Sequence, residues 1–476
     1  MAFPGCESLP KAIRQLHPAT RSYVLACSIR NHRLNTLGSR QEISPYAPQG
    51  QERRELPWTL QGTPLTEPLL TVFISGCRCE RSSLSISQIK YSEFSSLLQF
   101  DMKAIALLAA ACASAVIAEP EHVKPRALFT IETAPGQTVQ ITEEERWELS
   151  SSGGCGSHFF DITEFNAEVK AVKVPAPYPS KFKYEENIRR LFPKLKWDNI
   201  RKNLERYSTY HTRFSETVTG TQASEWLLTQ VQDVVLKSKK GGVTAKAFPH
   251  ALWPQKSIVV TVPGRSNRTV IVGAHLDSVN GANRLEARAP GVDDNASGSF
   301  LLLESLRVLL SDKDFGPSKL QNTIEFHWYA AEEGGLRGSQ DIFTQYANAG
   351  RDVWAMLNQD MVGYTKATLN AGKPESFGLI TDFTDPELNE YIGRVIDEYT
   401  DIERVNSVCG YACSDHGSAT RNGYPASFVF EAAFEYRNPY IHTANDTIEH
   451  IDPDHVLQHG QLVLGFLYEL GFSKSQ

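Results

Sequence analysis

The chain has 476 residues, enough for two or three domains or for one large domain with extensions. Hydrophobic residues make up 41% and charged residues 22%, an ordinary globular balance that supports a substantial core. A net charge of −7 excludes a generally nucleic-acid-binding surface.

In chain order, residues 1–101 contain Pro, Ser and Arg without sustained periodicity, and four scattered cysteines, Cys6, Cys27, Cys77 and Cys79. Cys77-Arg78-Cys79 lacks zinc-knuckle spacing. The run MKAIALLAAACASAVIAEPE begins at Met102. Lys103 supplies a charged start, Ile105 to Cys112 an apolar centre, and Val116 and Ala118 the small residues of a cleavage site. The run is too short and Ala-rich for a comfortable membrane span. Residues 102–118 therefore read as a signal peptide, against the plainer reading of a buried Ala-rich helix. A signal peptide belongs at a chain's start, so 1–101 is expected to be an upstream extension, disordered or an artefact of the gene model. The protein is expected to be secreted and free of any membrane once the signal is removed.

Residues 119–177 are acidic, then Ser/Gly-rich, then apolar. They end in VPAPYPSKF, where Pro175, Pro177 and Pro179 predict an extended linker. A short segment between a signal and such a linker suggests a pro-peptide; an ordinary amino-terminal subdomain is the alternative. Residues 178–476 then suit a single domain. SKFKYEENIRRLFPKLKWDNIRKNLERYS predicts a helix pair. SEWLLTQVQDVVLKS predicts an amphipathic helix, with Trp226, Leu227, Val231 and Val235 at helical spacing. Strands are predicted at SIVVTV, TVIVGAHL, TIEFHWYAA, WAMLNQDM, FGLIT and ASFVFEA. The central ones are near-continuous apolar runs, as for parallel strands covered on both faces. Helices at SGSFLLLESLRVLLSD, DPELNEYIGRVIDEYT and DPDHVLQHGQLVLGFLYELGF alternate with them. The expected fold class is α/β, with a mostly parallel central sheet flanked by helices on both faces.

Sites in open α/β sheets form beyond the carboxyl ends of strands, and polar residues gather at those ends here. TVIVGAHLDS ends with His275 and Asp277; GVDDNASGSF places Asp293 and Asp294 before a helix; EFHWYAAEEGG ends with Glu332 and Glu333. WAMLNQDMVGY carries Asp360, and NPYIHTANDT carries His442 with Asp446 nearby. Each has a plainer reading alone: Asp294 as the cap of a helix starting near Ser297, Glu333 as a loop charge, Asp360 as a buried residue bonded to backbone. Together, two imidazoles and three carboxylates suit Zn²⁺, with Mn²⁺ or Co²⁺ as alternatives. Five donors exceed the needs of one tetrahedral zinc and suit two ions with one bridging carboxylate. Which of the adjacent Glu332 and Glu333 would bind metal and which would move a proton stays open at this point.

The stretches AHLDS, GVDDNASG, AEEGGLRGS, NQDMVGY, CGYACSDH and YIHTANDT, in this order and at these separations, resemble the M28 family of zinc aminopeptidases, and closely its secreted fungal leucine aminopeptidases. The resemblance runs from about residue 119 to the carboxyl terminus. It implies a zinc-exopeptidase domain with two Zn²⁺ per chain, acting as a monomer on peptides and proteins with a free amino terminus. It makes His275, Asp294, Glu333, Asp360 and His442 the metal ligands, with Asp294 bridging. Glu332 becomes the general base, and Asp277 orients the His275 imidazole. The peptide bond after Asp294 is expected to be cis. Cys409 and Cys413 correspond to the family's disulfide, and Tyr411 inside that loop to a residue that stabilises the oxyanion. Met361, Phe430, Phe434 and Ile441 are candidate walls of an apolar pocket for the first side chain. Three sequons follow the signal, at Asn267, Asn295 and Asn445; Asn267 is the expected glycan site. Two other functions use fewer of these residues. A single-zinc cyclase of the same fold class, acting on amino-terminal glutamine, would not need the full donor set. A non-catalytic binding module on a peptidase fold would lack ligands or the base.

Overall fold

The computed structural model describes residues 128–151, 159–165 and 176–474. The expected extension (1–101), the signal segment (102–118) and Cys155 lie outside the described residues. The amino-terminal unit consists of β1 (Phe129–Ala134), β2 (Gln137–Ile141), α1 (Glu143–Ser151) and β3 (Phe160–Asp161), with an antiparallel sheet ordered β2-β1-β3. Thr142 and Glu145 form a reciprocal capping box at the start of α1, each side chain accepting from the other's backbone N–H.

The body follows. The predicted helix pair is present as α2 (Glu185–Arg189), a 3₁₀ turn and α3 (Trp197–Tyr207), and α4 (Val218–Ser238) is the amphipathic helix. Next come β4 (Thr244–Phe248), β5 (Ser257–Val262), β6 (Thr269–His275), α5 (Gly298–Ser311), β7 (Thr323–Tyr329), α6 (Arg337–Asn348) and β8 (Val353–Gln359). The chain ends with α7 (Lys366–Asn370), β9 (Ser376–Ile380), α8 (Pro386–Tyr399), β10 (Glu403–Ser407), α9 (His416–Arg421), β11 (Ala426–Phe430) and α10 (Pro453–Phe472). The sheet order is β10-β9-β11-β8-β6-β7-β5-β4. β6 is parallel to both β7 and β8, and β11 is parallel to β8.

Alternate residues of β6 face opposite layers, as the period of a strand requires. Val270, Val272 and Ala274 pack in one core with residues of α5 and α10. Ile271 packs in another with Ile342 and Phe343 of α6. Helices therefore cover both faces, which is why these strands contain few polar residues. The register pairs His275 with Tyr329 and Gly273 with Asn358, so the carboxyl ends of β6, β7 and β8 reach a common edge. A Cβ on Gly273 would lie 2.5 Å from the Tyr329 ring, so glycine lets that ring pack across β6.

β4, β10 and α6 escape the sequence reading, as do the short helices α7 and α9 and the elements of the amino-terminal unit. β4 and β10 are edge strands with exposed positions and polar residues, and they lack the apolar signature of a central strand. α6 opens with Arg-Gly-Ser, which masks its amphipathic pattern. The proline-rich linker is a correction at its carboxyl end. Tyr178 stacks on Trp354 at 5.7 Å, and Trp354 Nε1 donates to the Ala176 carbonyl at 2.7 Å, so 176–179 belongs to the body rather than to a free spacer.

Candidate metal centre

The sheet edge assembles the five donors. His275 ends β6, Asp360 follows β8, and Glu333 follows the β7 end. Asp294 lies in the turn before α5, and its peptide bond to Asn295 is cis. His442 comes from the loop between β11 and α10. Their atoms form two triads, His275–Asp294–Asp360 and Asp294–Glu333–His442, each within 4.8 Å and sharing Asp294. His275 Nε2 is 3.0 Å from Asp294 Oδ1 and 3.1 Å from Asp360 Oδ1. His442 Nε2 is 3.1 Å from Asp294 Oδ2 and 3.0 Å from Glu333 Oε2.

This geometry fits a divalent cation in each triad. One ring nitrogen faces two carboxylate oxygens, although it has one proton or one lone pair to offer. Glu333 Oε1 is buried without a hydrogen-bond partner. The charges agree. Burial opposes ionisation of His275, yet Asp360, Glu332, Asp277 and Asp294 hold its pKa well above the usual range. Burial opposes His442 likewise, and Glu333 and Asp294 overrule it. Burial lifts Asp294, but both imidazoles outweigh it and hold the carboxyl far below the ordinary value. Burial pushes Glu333 up to about 6. The cluster favours positive charge at its centre.

Asp277 touches both His275 and the backbone of the two glutamates. Its Oδ1 lies 3.4 Å from His275 Nδ1, a loose contact. The same carboxylate accepts from the backbone N–H groups of Glu332 (3.1 Å) and Glu333 (3.3 Å). It thereby fixes the backbone of both glutamates. The Glu332 carboxylate itself has no hydrogen-bond or ion-pair partner among the described residues, and burial and the charges of Glu333 and Asp360 push its pKa well up, against the pull of His275. Ala331, Met361 and His442, each within two residues of a donor or itself one, hold φ of 55°, a left-handed conformation costly for residues with a Cβ.

A supporting layer was not assigned from sequence. Asp446 accepts from the Asp293 and Asp294 N–H groups, both at 3.0 Å, and so positions the residue that the two triads share. Asp293 and Glu431 both bind Asn438 behind it. Ser414, in CGYACSDH, donates to Asp360 Oδ2 at 2.6 Å. Asn295 is fully buried and bonds Gly298, Gln359 and Met361, so its sequon offers no surface for a glycan, whereas Asn267 is exposed.

Above the donors lies a cavity of about 710 Å³ lined by Asp294, Glu332, Glu333, Asp360 and His442. Met361, Phe430, Phe434 and Ile441 all line it, joined by Phe428, which the sequence reading omitted. Phe428 and Phe430 lie two residues apart on β11 and thus share a face, while Val429 between them packs in the main core on the other face. Cys409 and Cys413 are disulfide-bonded, and Cys413 and Ala412 also line the cavity. The amino-terminal unit contributes to its wall. Phe159 lines the cavity, and the Asp161 N–H donates to the Gly335 carbonyl at 3.2 Å. Gly335 has φ of 100°, and a Cβ there would meet Asp161 at 2.9 Å and Phe159 at 3.0 Å. Tyr411 does not face an empty site: its hydroxyl donates to Glu132 Oε1 at 2.9 Å.

Residues 257–467 match peptidase family M28. Leucine aminopeptidase 1 of Sclerotinia sclerotiorum is 48% identical over 350 residues, which span 73% of this chain and 89% of the relative. Leucine aminopeptidase 1 of Fusarium vanettenii is 45% identical over 379 residues, 77% of this chain and 95% of the relative. That is more residues than 178–476 contain, so the likeness includes part of the amino-terminal unit. Among solved structures, the LapA aminopeptidase of Legionella pneumophila is 27% identical with a TM-score of 0.61, covering 71% of this chain and 91% of that one. LapB of the same organism is 25% identical with a TM-score of 0.62, covering 71% and 92%. Identity of this extent along nearly the whole of these relatives, on a fold that converges two imidazoles and three carboxylates, means that the chain belongs to peptidase family M28 and is a metalloexopeptidase.

Proposed function

We propose that the protein is a secreted aminopeptidase that removes leucine and other apolar residues from the amino terminus of peptides and proteins, using two Zn²⁺. The observation that carries this reading is the pair of triads sharing Asp294 beneath an apolar cavity, beside a Glu332 that no imidazole ties up. His275, Asp294 and Asp360 would hold one ion, and Asp294, Glu333 and His442 the other. Zn²⁺ there supplies Lewis acidity and the charge that makes water nucleophilic at neutral pH.

The chain's own residues do the rest. Glu332 takes a proton from the attacking water and delivers it to the leaving amine. Asp277 keeps Glu332 in place through its backbone N–H. Met361, Phe428, Phe430, Phe434 and Ile441 surround the first side chain and exclude water. Each missing methylene there costs roughly 1–3 kcal/mol, so preference rather than strict specificity follows. All these groups come from one chain, which suits a monomer.

The protein is made as a precursor on this reading. Phe159 lines the cavity and Glu132 engages the Tyr411 hydroxyl, the group assigned to the oxyanion. The cut falls on the amino-terminal side of Ala176, whose carbonyl is bonded into the body. Asn267 carries the glycan. Glu332→Gln in the processed enzyme tests the centre of the proposal. Elemental analysis is expected to give two zinc ions per chain, with turnover of leucyl-p-nitroanilide reduced about 10²–10⁴-fold. One ion per chain would refute the two-metal assignment, and unchanged turnover the base.

A further inference from the structure

Departure of the amino-terminal unit would uncover a charged seat beside the cavity. Glu132, on β1, is 3% exposed. Its Oε2 accepts from Arg421 Nη1, and its Oε1 accepts from the Tyr411 hydroxyl. No other carboxylate of the described residues pairs with Arg421. The third donor to Glu132 is the Gly136 N–H at 3.0 Å, which leaves with the unit. What stays on the body is a guanidinium and a phenol that have lost their shared acceptor.

The seat is close to the chemistry. Tyr411 lies inside the disulfide loop whose Ala412 and Cys413 line the cavity. The Arg421 guanidinium stands over the Phe160 ring at 5.2 Å, and the next residue back, Phe159, lines the cavity itself. Two consecutive residues of the unit therefore reach from the seat to the cavity wall. A substrate with its amino end at the triads and its first side chain in the apolar cavity has its remaining residues free to run along the wall that the unit vacates.

We propose that Arg421 forms a subsite for a carboxylate on the leaving side of the substrate, which Glu132 occupies in the precursor. The inference rests on the proposed loss of the amino-terminal unit. Arginine suits this role because its planar fork stays charged and matches carboxylate geometry. The carboxylate is either the α-carboxylate of a short peptide or the side chain of an acidic residue.

The test uses the processed, zinc-loaded, secreted enzyme, its mass first measured. Leu-Gly, Leu-Gly-Gly and Leu-Gly-Gly-Gly are compared with their amides, and Leu-Gly-Gly-amide with Leu-Gly-Glu-amide. At one or more lengths, or in the glutamyl arm, kcat/KM for the carboxylate-bearing peptide should exceed that of its neutral partner about tenfold, mainly through KM. Which arm responds identifies the source of the carboxylate. The ratio should fall to near one in Arg421→Met and survive in part in Arg421→Lys; a ratio is insensitive to the fraction of folded enzyme. Equal handling of acids and amides throughout, or a ratio that persists in Arg421→Met, overturns the subsite. An active enzyme whose mass still includes Glu132 overturns it as well, because the seat would be permanently filled. Leucyl-p-nitroanilide has no carboxylate, so its hydrolysis reports the aminopeptidase reading separately.

Discussion

Arg213 is a cation sealed inside the body, 0% exposed. Its Nε donates to the Leu276 carbonyl at 3.1 Å, its Nη2 to the carbonyls of Asp277 and Gly291, and its Nη1 to that of Pro290. Burial lowers its pKa, and Tyr207 and the acids Asp446, Asp277 and Asp294 pull the other way. The side chain thus ties the segment after His275 to the segment before Asp294. Arg213→Met would leave these carbonyls without donors and the acids without their cation. The expected cost is about 3–5 kcal/mol by chemical denaturation, with weaker zinc retention against a chelator. A loss under 1 kcal/mol would show that the clamp is dispensable. None of this is legible in TRFS, the sequence around Arg213: the residue is 62 positions from His275, and its partners are backbone atoms, which leave no trace in side-chain chemistry.

At the scale of elements, the central strands contain a second buried polar cluster. Glu325 on β7 accepts from Tyr346 (2.9 Å) and Arg351 (3.0 Å) and contacts His327. Burial raises its pKa, but His327, Arg351 and Tyr346 outweigh burial and hold the carboxyl down at about 2. Its folded pKa lies below the ordinary 4.5, so its stabilisation is complete above pH 4.5 and lost as pH falls from about 4.5 to about 2. The group contributes roughly 3 kcal/mol at neutral pH by this linkage. Glu325→Gln should be less stable at pH 7, with a gap to wild type that narrows through that window in denaturant titrations. A gap independent of pH would dismiss the linkage.

The amino-terminal unit gives a second test at this scale. Glu132→Ala leaves the Arg421 guanidinium without its acid, a change that costs roughly 3–5 kcal/mol where the pair is buried. The loss falls on the contact between the unit and the body. The uncleaved precursor should then be processed faster by added protease and hydrolyse leucyl-p-nitroanilide above the wild-type precursor's background. Equal rates for both precursors would argue against Glu132 as the latch. Elements also show where pattern reading succeeds. β6, β7 and β8 were legible because strands covered on both faces are apolar over most of their length, and β7 keeps Glu325 and His327 as a mutually paired exception. β4 and β10 were not, because an edge strand needs only backbone partners and tolerates Lys246 or Asn406.

For the whole molecule, the metal centre joins three strand ends to two loops, so its occupancy bears on stability as well as activity. Chelation should abolish leucyl-p-nitroanilide hydrolysis and lower the melting temperature on the order of 10 °C, both restored by zinc. Differential scanning calorimetry with and without chelator checks this; an unchanged melting temperature would mean that the donors do not hold ions in the native protein. No helix of the described residues is long and apolar enough to cross a membrane.

The sequence by itself determined the chemistry: two imidazoles and three carboxylates at the ends of apolar runs, a fold of alternating strands and helices, and a cysteine pair four residues apart. These were readable because donor type and burial are properties of single residues and of short periods. Only the tertiary structure decided how the donors divide into triads, that Asp277 anchors the backbone of both glutamates, that Asp446 positions the residue the triads share, and that Glu132 reaches Arg421 across 289 positions. Such pairings depend on which surfaces meet when the layers close, and sequence separation does not encode that distance.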